Sequence, residues 1–240
     1  METTLAEFVN RLKDAAGDNL QSVVLFGSAV AGEFSAEHSN LNVLCLIERT
    51  GSAELAQLRP AIAWWTEEED YPAPLVFTFD ELRRSAHVFA IELFDIKRHH
   101  RILFGADWLE NFQPPLALHR LQVERELHRE RLKFRRALLA APEKPKARLD
   151  LMLSFVSRFC ALFRHAIAAA GEPEPRTRRE AVAVIAAWTG ADPSGFDAIL
   201  EFREGKRKRR KIDLEAALHA YVEFVGLAAD EATRRFAQFR

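Results

Sequence analysis

Cysteine is scarce: the 240 residues hold two, Cys45 and Cys160, far apart and each inside an apolar run. That excludes a disulfide-built scaffold and predicts two buried, reduced thiols of a cytosolic protein. Glycine and proline number ten each, too few for a collagen-like chain. No run reaches the 18 or so apolar residues of a membrane span, which predicts a soluble, cytoplasmic protein. The opening stretch METTLAEFVNRLKDAAG is amphipathic and carries acids, unlike a signal or transit peptide. Disorder is excluded by 48% hydrophobic residues. Net charge is also small, −1, but the charges are segregated. Residues 1–115 carry 9 Lys and Arg against 18 Asp and Glu, a balance of −9; residues 116–240 carry 25 against 17, a balance of +8. The basic half can dock on the acidic half or face an external anion.

What is there divides the same way. Leu5, Phe8, Val9 and Leu12 fall at i, i+3, i+4 and i+7, an amphipathic helix stopped by Gly17. Ser22–Phe26 and Asn42–Ile47 read as buried strands, and residues 52–66 follow helical spacing through Leu55, Leu58, Ile62 and Trp65. Pro72 and Pro74 force an extended approach to a strand at Leu75–Phe79. A short helix at Asp80–Ser85, a strand-like Val88–Ile96 and an apolar turn at Ile102–Gly105 follow. Beyond Pro115 the texture becomes helical. Residues 119–140 form a charged helix, and Leu149, Met152, Leu153, Val156, Phe159, Cys160, Phe163 and Ile167 hold one face for five turns. Asp192-Pro193 and Asp213 open two more helices. The expected fold class is α+β: a mixed sheet with flanking helices over 1–115, then an all-α helical bundle over 116–240.

The first strand ends in Gly27-Ser28, followed by a segment containing Gly32, a polar loop and the second strand. A strand that runs through Gly-Ser into a helix presents main-chain N–H groups to an anion, with Gly27 permitting close approach and Ser28 supplying a hydroxyl donor. The whole stretch, VVLFGSAVAGEFSAEHSNLNVLCLI over Val23–Ile47, resembles the DNA polymerase β-like nucleotidyltransferase superfamily, whose hallmark is hydrophobic-Phe-Gly-Ser, a small helix with a second Gly, a polar loop, then Ser-Asp-x-Asp on a strand. Gly27, Ser28, Gly32 and Ser39 match in type and spacing. The later LFGADWL is similar to the Leu-Tyr-Gly-Glu-Asp ending of small bacterial members, so the likeness spans residues 1–110. It implies a nucleotide or phosphate site at Gly27, Ser28 and Ser39.

At the metal-binding positions the resemblance breaks. The family's two strand carboxylates fall on Asn40 and Asn42. Two apart on a strand, such side chains share a face, the arrangement that lets two carboxylates hold a pair of Mg²⁺ ions. An amide oxygen is neutral, and at an effective dielectric of about 20 each charge pair lost at about 4 Å weakens the site by about 4 kcal/mol. A loss of that size costs about a thousandfold in rate. The position nearest the family's third carboxylate is Leu75, and Glu92 and Asp95 are the acids that could substitute.

The resemblance, with Asn40 and Asn42 at its carboxylate positions, therefore implies a degenerate nucleotidyltransferase, a pseudoenzyme that binds a nucleotide or anion, or regulates, without a metal cofactor. Two alternatives stand beside it. One is an active, Mg²⁺-dependent transferase using Glu92 and Asp95 to move NMP from NTP to a small molecule or protein. The other is a nucleic-acid adaptor built on the basic half, where Lys206, Arg207, Lys208, Arg209, Arg210 and Lys211 run together without interleaved aromatics. His99, His100, His119 and His128 lack metal-ligand spacing and are expected to be solvated or charge-paired.

Overall fold

The computed structural model describes residues 1–30, 41–112 and 115–239. They divide into two compact units, Met1–Pro115 and Leu116–Arg240. The first is α+β, and the second is built of helices.

In the first unit α1 (Glu2–Ala16) buries Leu5, Phe8, Val9 and Leu12 and ends where Gly17 takes a φ of 52°. β1 (Leu20–Phe26) pairs antiparallel with β2 (Asn42–Ile47), Phe26 opposite Asn42 and Val24 opposite Leu44. α2 (Ser52–Ala63) follows and widens into a π-helical turn at Trp64–Glu68. β3 (Leu75–Phe77) lies parallel to β2, with Leu44 opposite Leu75. After α3 (Phe79–Ser85) and α4 (Ala90–Arg98), β4 (His100–Gly105) returns antiparallel to β1. The sheet is mixed, in the order β3-β2-β1-β4.

Both sheet faces are covered, so β1 and β2 read as continuous apolar runs rather than alternating ones. Val23, Leu25, Val43 and Cys45 pack with α1 and with Leu58 and Trp65. Val24, Leu44 and Leu46 pack on the other face with Leu82 of α3 and Leu93 and Ile96 of α4. Residue 42 shares the parity of Leu44 and Leu46 and so belongs to this second face.

Three sequence expectations change here. Val88–Ile96 is not a strand: Ala90, Leu93 and Ile96 line the buried side of α4, while Val88 and Phe89 before it are exposed. The apolar turn at Ile102–Gly105 is the end of β4, because the free edge of β1 supplies a pairing partner that local sequence cannot reveal. The strand at Leu75 stops at Phe77, since Thr78 caps α3. Its hydroxyl accepts from Glu81 N–H at 3.1 Å, and the Glu81 carboxylate accepts from Thr78 N–H at 2.7 Å, a reciprocal capping box.

The second unit holds α5 (Leu116–Ala140), α6 (Pro145–Ala169), α7 (Arg178–Thr189), α8 (Ser194–Arg203) and α9 (Leu214–Ala237). α6 is long and apolar enough to cross a membrane by length and composition, against the expectation that no segment would be; 61% of that stretch is buried in the protein. Its buried side includes Met152, Val156, Phe159, Cys160, Phe163 and Ile167, the face read from the sequence. Phe159, Phe163, Tyr221 and Phe224 gather around Phe196, and the Phe196 and Tyr221 rings stack at 4.1 Å. His119 is not solvated. It is fully buried, with Nε2 3.1 Å from Nδ1 of the buried His165.

Candidate functional site

The candidate site starts where β1 ends. Gly27 has a φ of 83°, a left-handed conformation that favours glycine, and opens a single 3₁₀ turn, Gly27–Ala29. Its N–H donates to the His99 carbonyl at 3.1 Å, and Val30 N–H donates to the Gly27 carbonyl at 3.0 Å. Gly27's own amide is thus committed to the fold, and the amides that follow it in the turn are those of Ser28 and Ala29. The remainder of the helix expected after Gly-Ser lies outside the described residues, as do Gly32, Ser39 and Asn40.

Asn42 is the half-buried first residue of β2 and stands opposite Phe26, next to the turn. A Cβ at Gly27 would lie 3.2 Å from Asn42 Nδ2. The amide therefore packs against the glycine backbone, and a residue at 42 addresses the turn directly. Leu75, opposite Leu44, lies on the same sheet face as Asn42 and contributes no charge.

The two acids considered as substitutes lie on α4. Glu92 is exposed and Asp95 is half-buried. They are three apart and share one side of that helix, rather than standing on a strand as the sequence reading had them. A backbone path joins α4 to the turn: Asp95's carbonyl accepts His99 N–H at 2.9 Å, and His99's carbonyl accepts the Gly27 N–H. That link runs through the backbone and uses neither carboxylate. Among the described residues no group of three or more His, Cys, Asp or Glu is placed to hold a metal ion. Neither Asn42 nor Leu75 supplies a carboxylate, the side chain through which Mg²⁺, a hard cation, is usually held alongside substrate phosphates.

Sequence reasoning missed a second feature at the opposite end of the sheet. Phe79 and Trp108, ring centroids 4.8 Å apart, sit between two clefts of about 530 and 450 Å³. The first is lined by Arg83, Asp107 and Asn111 among others, the second by Gln21, Glu48 and Asp80. Asp107 is the acid of the LFGADWL stretch. Burial would raise its pKa, but the hydrogen bonds it accepts from His100 and from the Leu109 and Glu110 amides outweigh burial and hold it low. Half-exposed Trp108 was the available signal, but its partner Phe79 is remote in sequence.

The histidines resolve into local roles. His100 pairs with Asp107 at 3.1 Å, and His128 bonds Thr233 at 2.9 Å. Of the basic run, Lys206 and Arg207 are ion-paired and Lys208–Lys211 are exposed.

No protein-family model and no curated protein matches this chain. Among solved structures it is similar to a spectinomycin adenyltransferase from Enterococcus faecialis, determined with ATP and spectinomycin. The likeness covers 92% of this chain and 98% of that one, at 12% identity and a TM-score of 0.49. At that identity and score it carries no residue's role to this chain.

Proposed function

We propose that the N-terminal unit is a nucleotidyltransferase-type unit that takes a nucleotide or related phosphate anion without transferring it. The observation that carries this reading is the pairing of Gly27 with Asn42. The position where the sequence resemblance implies a metal-binding carboxylate heads β2 and packs on the Gly-Ser turn, and there it bears a neutral amide. The phosphate side keeps a positive-φ glycine and the Ser28 and Ala29 amides. The metal side has lost at least one formal charge at Asn42, and a second at Asn40 by sequence. Ser28 and Ser39 complete the phosphate side by resemblance alone.

Nucleotide-dependent thermal stabilisation tests the reading. Ligand at ten times its dissociation constant stabilises by about 1.4 kcal/mol, a shift of several degrees for a unit of this size. ATP is expected to raise Tm in EDTA nearly as much as in Mg²⁺, and NMP labelling of the protein or of lysate components is expected to be absent. A shift that requires Mg²⁺, or labelling abolished by Glu92→Gln or Asp95→Asn, overturns the proposal in favour of the active transferase. Restoring Asn40→Asp and Asn42→Asp together should raise divalent-ion affinity. The polyanion reading of the Lys206–Lys211 run concerns the helical unit and does not depend on nucleotide binding at the turn.

A further inference from the structure

Six cations in succession join α8 to α9, and the fold uses them unequally. Lys206 Nζ lies 2.7 Å from the Glu204 carboxylate, and Arg207 Nε lies 2.7 Å from Glu201. Glu204 also accepts from Arg179 at 3.1 Å, and the Lys206 and Arg179 hydrogen bonds hold its pKa low. The Lys206 and Arg207 N–H groups both donate to the Glu201 carbonyl, at 2.9 and 3.2 Å. These two residues close the C-terminus of α8, where cations complement the helix dipole.

Lys208, Arg209, Arg210 and Lys211 do none of this. All four are exposed, and among the described residues none joins an ion pair. Their backbone is nevertheless ordered into a turn. Lys211 N–H donates to the Lys208 carbonyl at 2.9 Å and Ile212 N–H to the Arg209 carbonyl at 3.0 Å. Buried Ile212 and the Asp213 cap of α9, which accepts from the Glu215 and Ala216 amides at 3.1 Å, pin its far end. A turn of this kind rises about 2 Å per residue, so the four cations start within roughly 6 Å of one another along the chain. The fold thus holds together like charges that repel and that, among the described residues, no ion pair offsets.

We propose that Lys208–Lys211 is a docking element for the phosphate backbone of a nucleic-acid duplex. The run has no aromatic side chain to stack on unpaired bases and no apolar one to enter a lipid surface, so it offers charge alone. A duplex presents a dense, regular array of charge, about one per 1.7 Å of axis. The guanidinium groups of Arg209 and Arg210 can each take a phosphate through two parallel hydrogen bonds. The +8 balance of residues 116–240 adds a long-range attraction of the same sign.

Fluorescence anisotropy of the full chain with labelled DNA and RNA duplexes of mixed sequence tests this across a salt series. Four neutralised phosphates give a log–log slope of about −3.6. Affinity should therefore fall about a hundredfold between 50 and 200 mM salt, without sequence preference. Changing Lys208, Arg209, Arg210 and Lys211 to Gln should abolish binding and leave Tm and helical circular dichroism unchanged. Changing Lys206 and Arg207 to Gln should lower Tm and keep the slope. A matched control, Arg135, Arg136, Lys144 and Lys146 to Gln, removes four exposed charges elsewhere on the unit and should bind as the parent does. The proposal fails if the parent binds no duplex at low salt, if the 208–211 variant keeps its slope, or if the control flattens it equally. It also fails if vesicles rich in phosphatidylserine retain the protein while duplexes do not, which would assign the run to a membrane surface.

Discussion

Replacing Gly27 by alanine perturbs the candidate site in a way the structure allows to be dissected. The first cost is conformational: a left-handed backbone is worth about 1–2 kcal/mol against an L-residue, and Gly27 has a φ of 83°. The second is steric, because the new Cβ lies 3.2 Å from Asn42 Nδ2, closer than a relaxed contact. Gly171 separates the two, since its φ is 84° and nothing lies within 4 Å of its Cβ position. Gly105 gives the upper limit. At a φ of 77° its Cβ would lie 2.0 Å from the Gln21 carbonyl oxygen, and backbone cannot give way there without breaking the β1–β4 pairing. The expected order of destabilisation is Gly171→Ala, then Gly27→Ala, then Gly105→Ala, with the last well above 3 kcal/mol as overpacking against backbone. Urea unfolding followed by Trp64, Trp65 and Trp108 fluorescence, in a Trp188→Phe background, reports on the N-terminal unit; Trp188 reports Gly171→Ala in the helical one. In Asn42→Ala the excess of Gly27→Ala over Gly171→Ala should vanish while the conformational part persists. Equal losses for Gly27→Ala with and without Asn42, or a gain of the 0.4–1 kcal/mol typical of a glycine replaced at a compatible φ, would refute the packing of Asn42 on this turn.

The Thr78 cap should be worth about 1 kcal/mol, measured as the loss in Thr78→Ala. Hydrogen bonding to the Thr78 amide holds Glu81 below the usual carboxylate range, so its contribution is present above the unfolded value and lost as pH falls through the lower, folded one. Glu81→Gln should therefore flatten the acid limb of the stability profile below about pH 4.5 and leave the alkaline limb untouched. Burial pushes the Cys45 thiol up to about 12. At pH 8 a disulfide reagent should reach it only at the rate of unfolding. Its stability contribution is fully present below the unfolded value of about 8.5 and is lost as pH rises toward the folded one.

The elements legible in the sequence were those whose own pattern decides them. The α6 stripe from Leu149 to Ile167, the α1 face ending at Gly17, and the apolar runs of β1 and β2 each carry enough residues for periodicity to choose. Val88–Ile96 and His100–Gly105 are short, and only packing on Leu44 or pairing with β1 settles what they become. At the site, Gly27 and Asn42 were placed by the spacing of the motif, and their contact follows from antiparallel pairing. Glu92 and Asp95 depended on the local structure being read correctly, and it became helix. The Phe79–Trp108 cleft arises from segments 29 residues apart that nothing local relates.

Pro72 and Pro74, which straighten the approach to β3, bear on how copies of this chain meet. An open sheet invites a neighbour to continue its hydrogen-bonded ladder, the first step of aggregation. Beyond β3 such a neighbour finds three residues, preceded by two prolines that have no N–H to offer. At the other margin β4 begins with His100 and the exposed Arg101 and is turned away at Gly105. Short length, missing donors and charge are recognised ways of blunting an edge. The sheet is closed to sideways growth at β3 by its covalent chemistry, so strand addition between copies is disfavoured on that side even where Leu75 lies exposed.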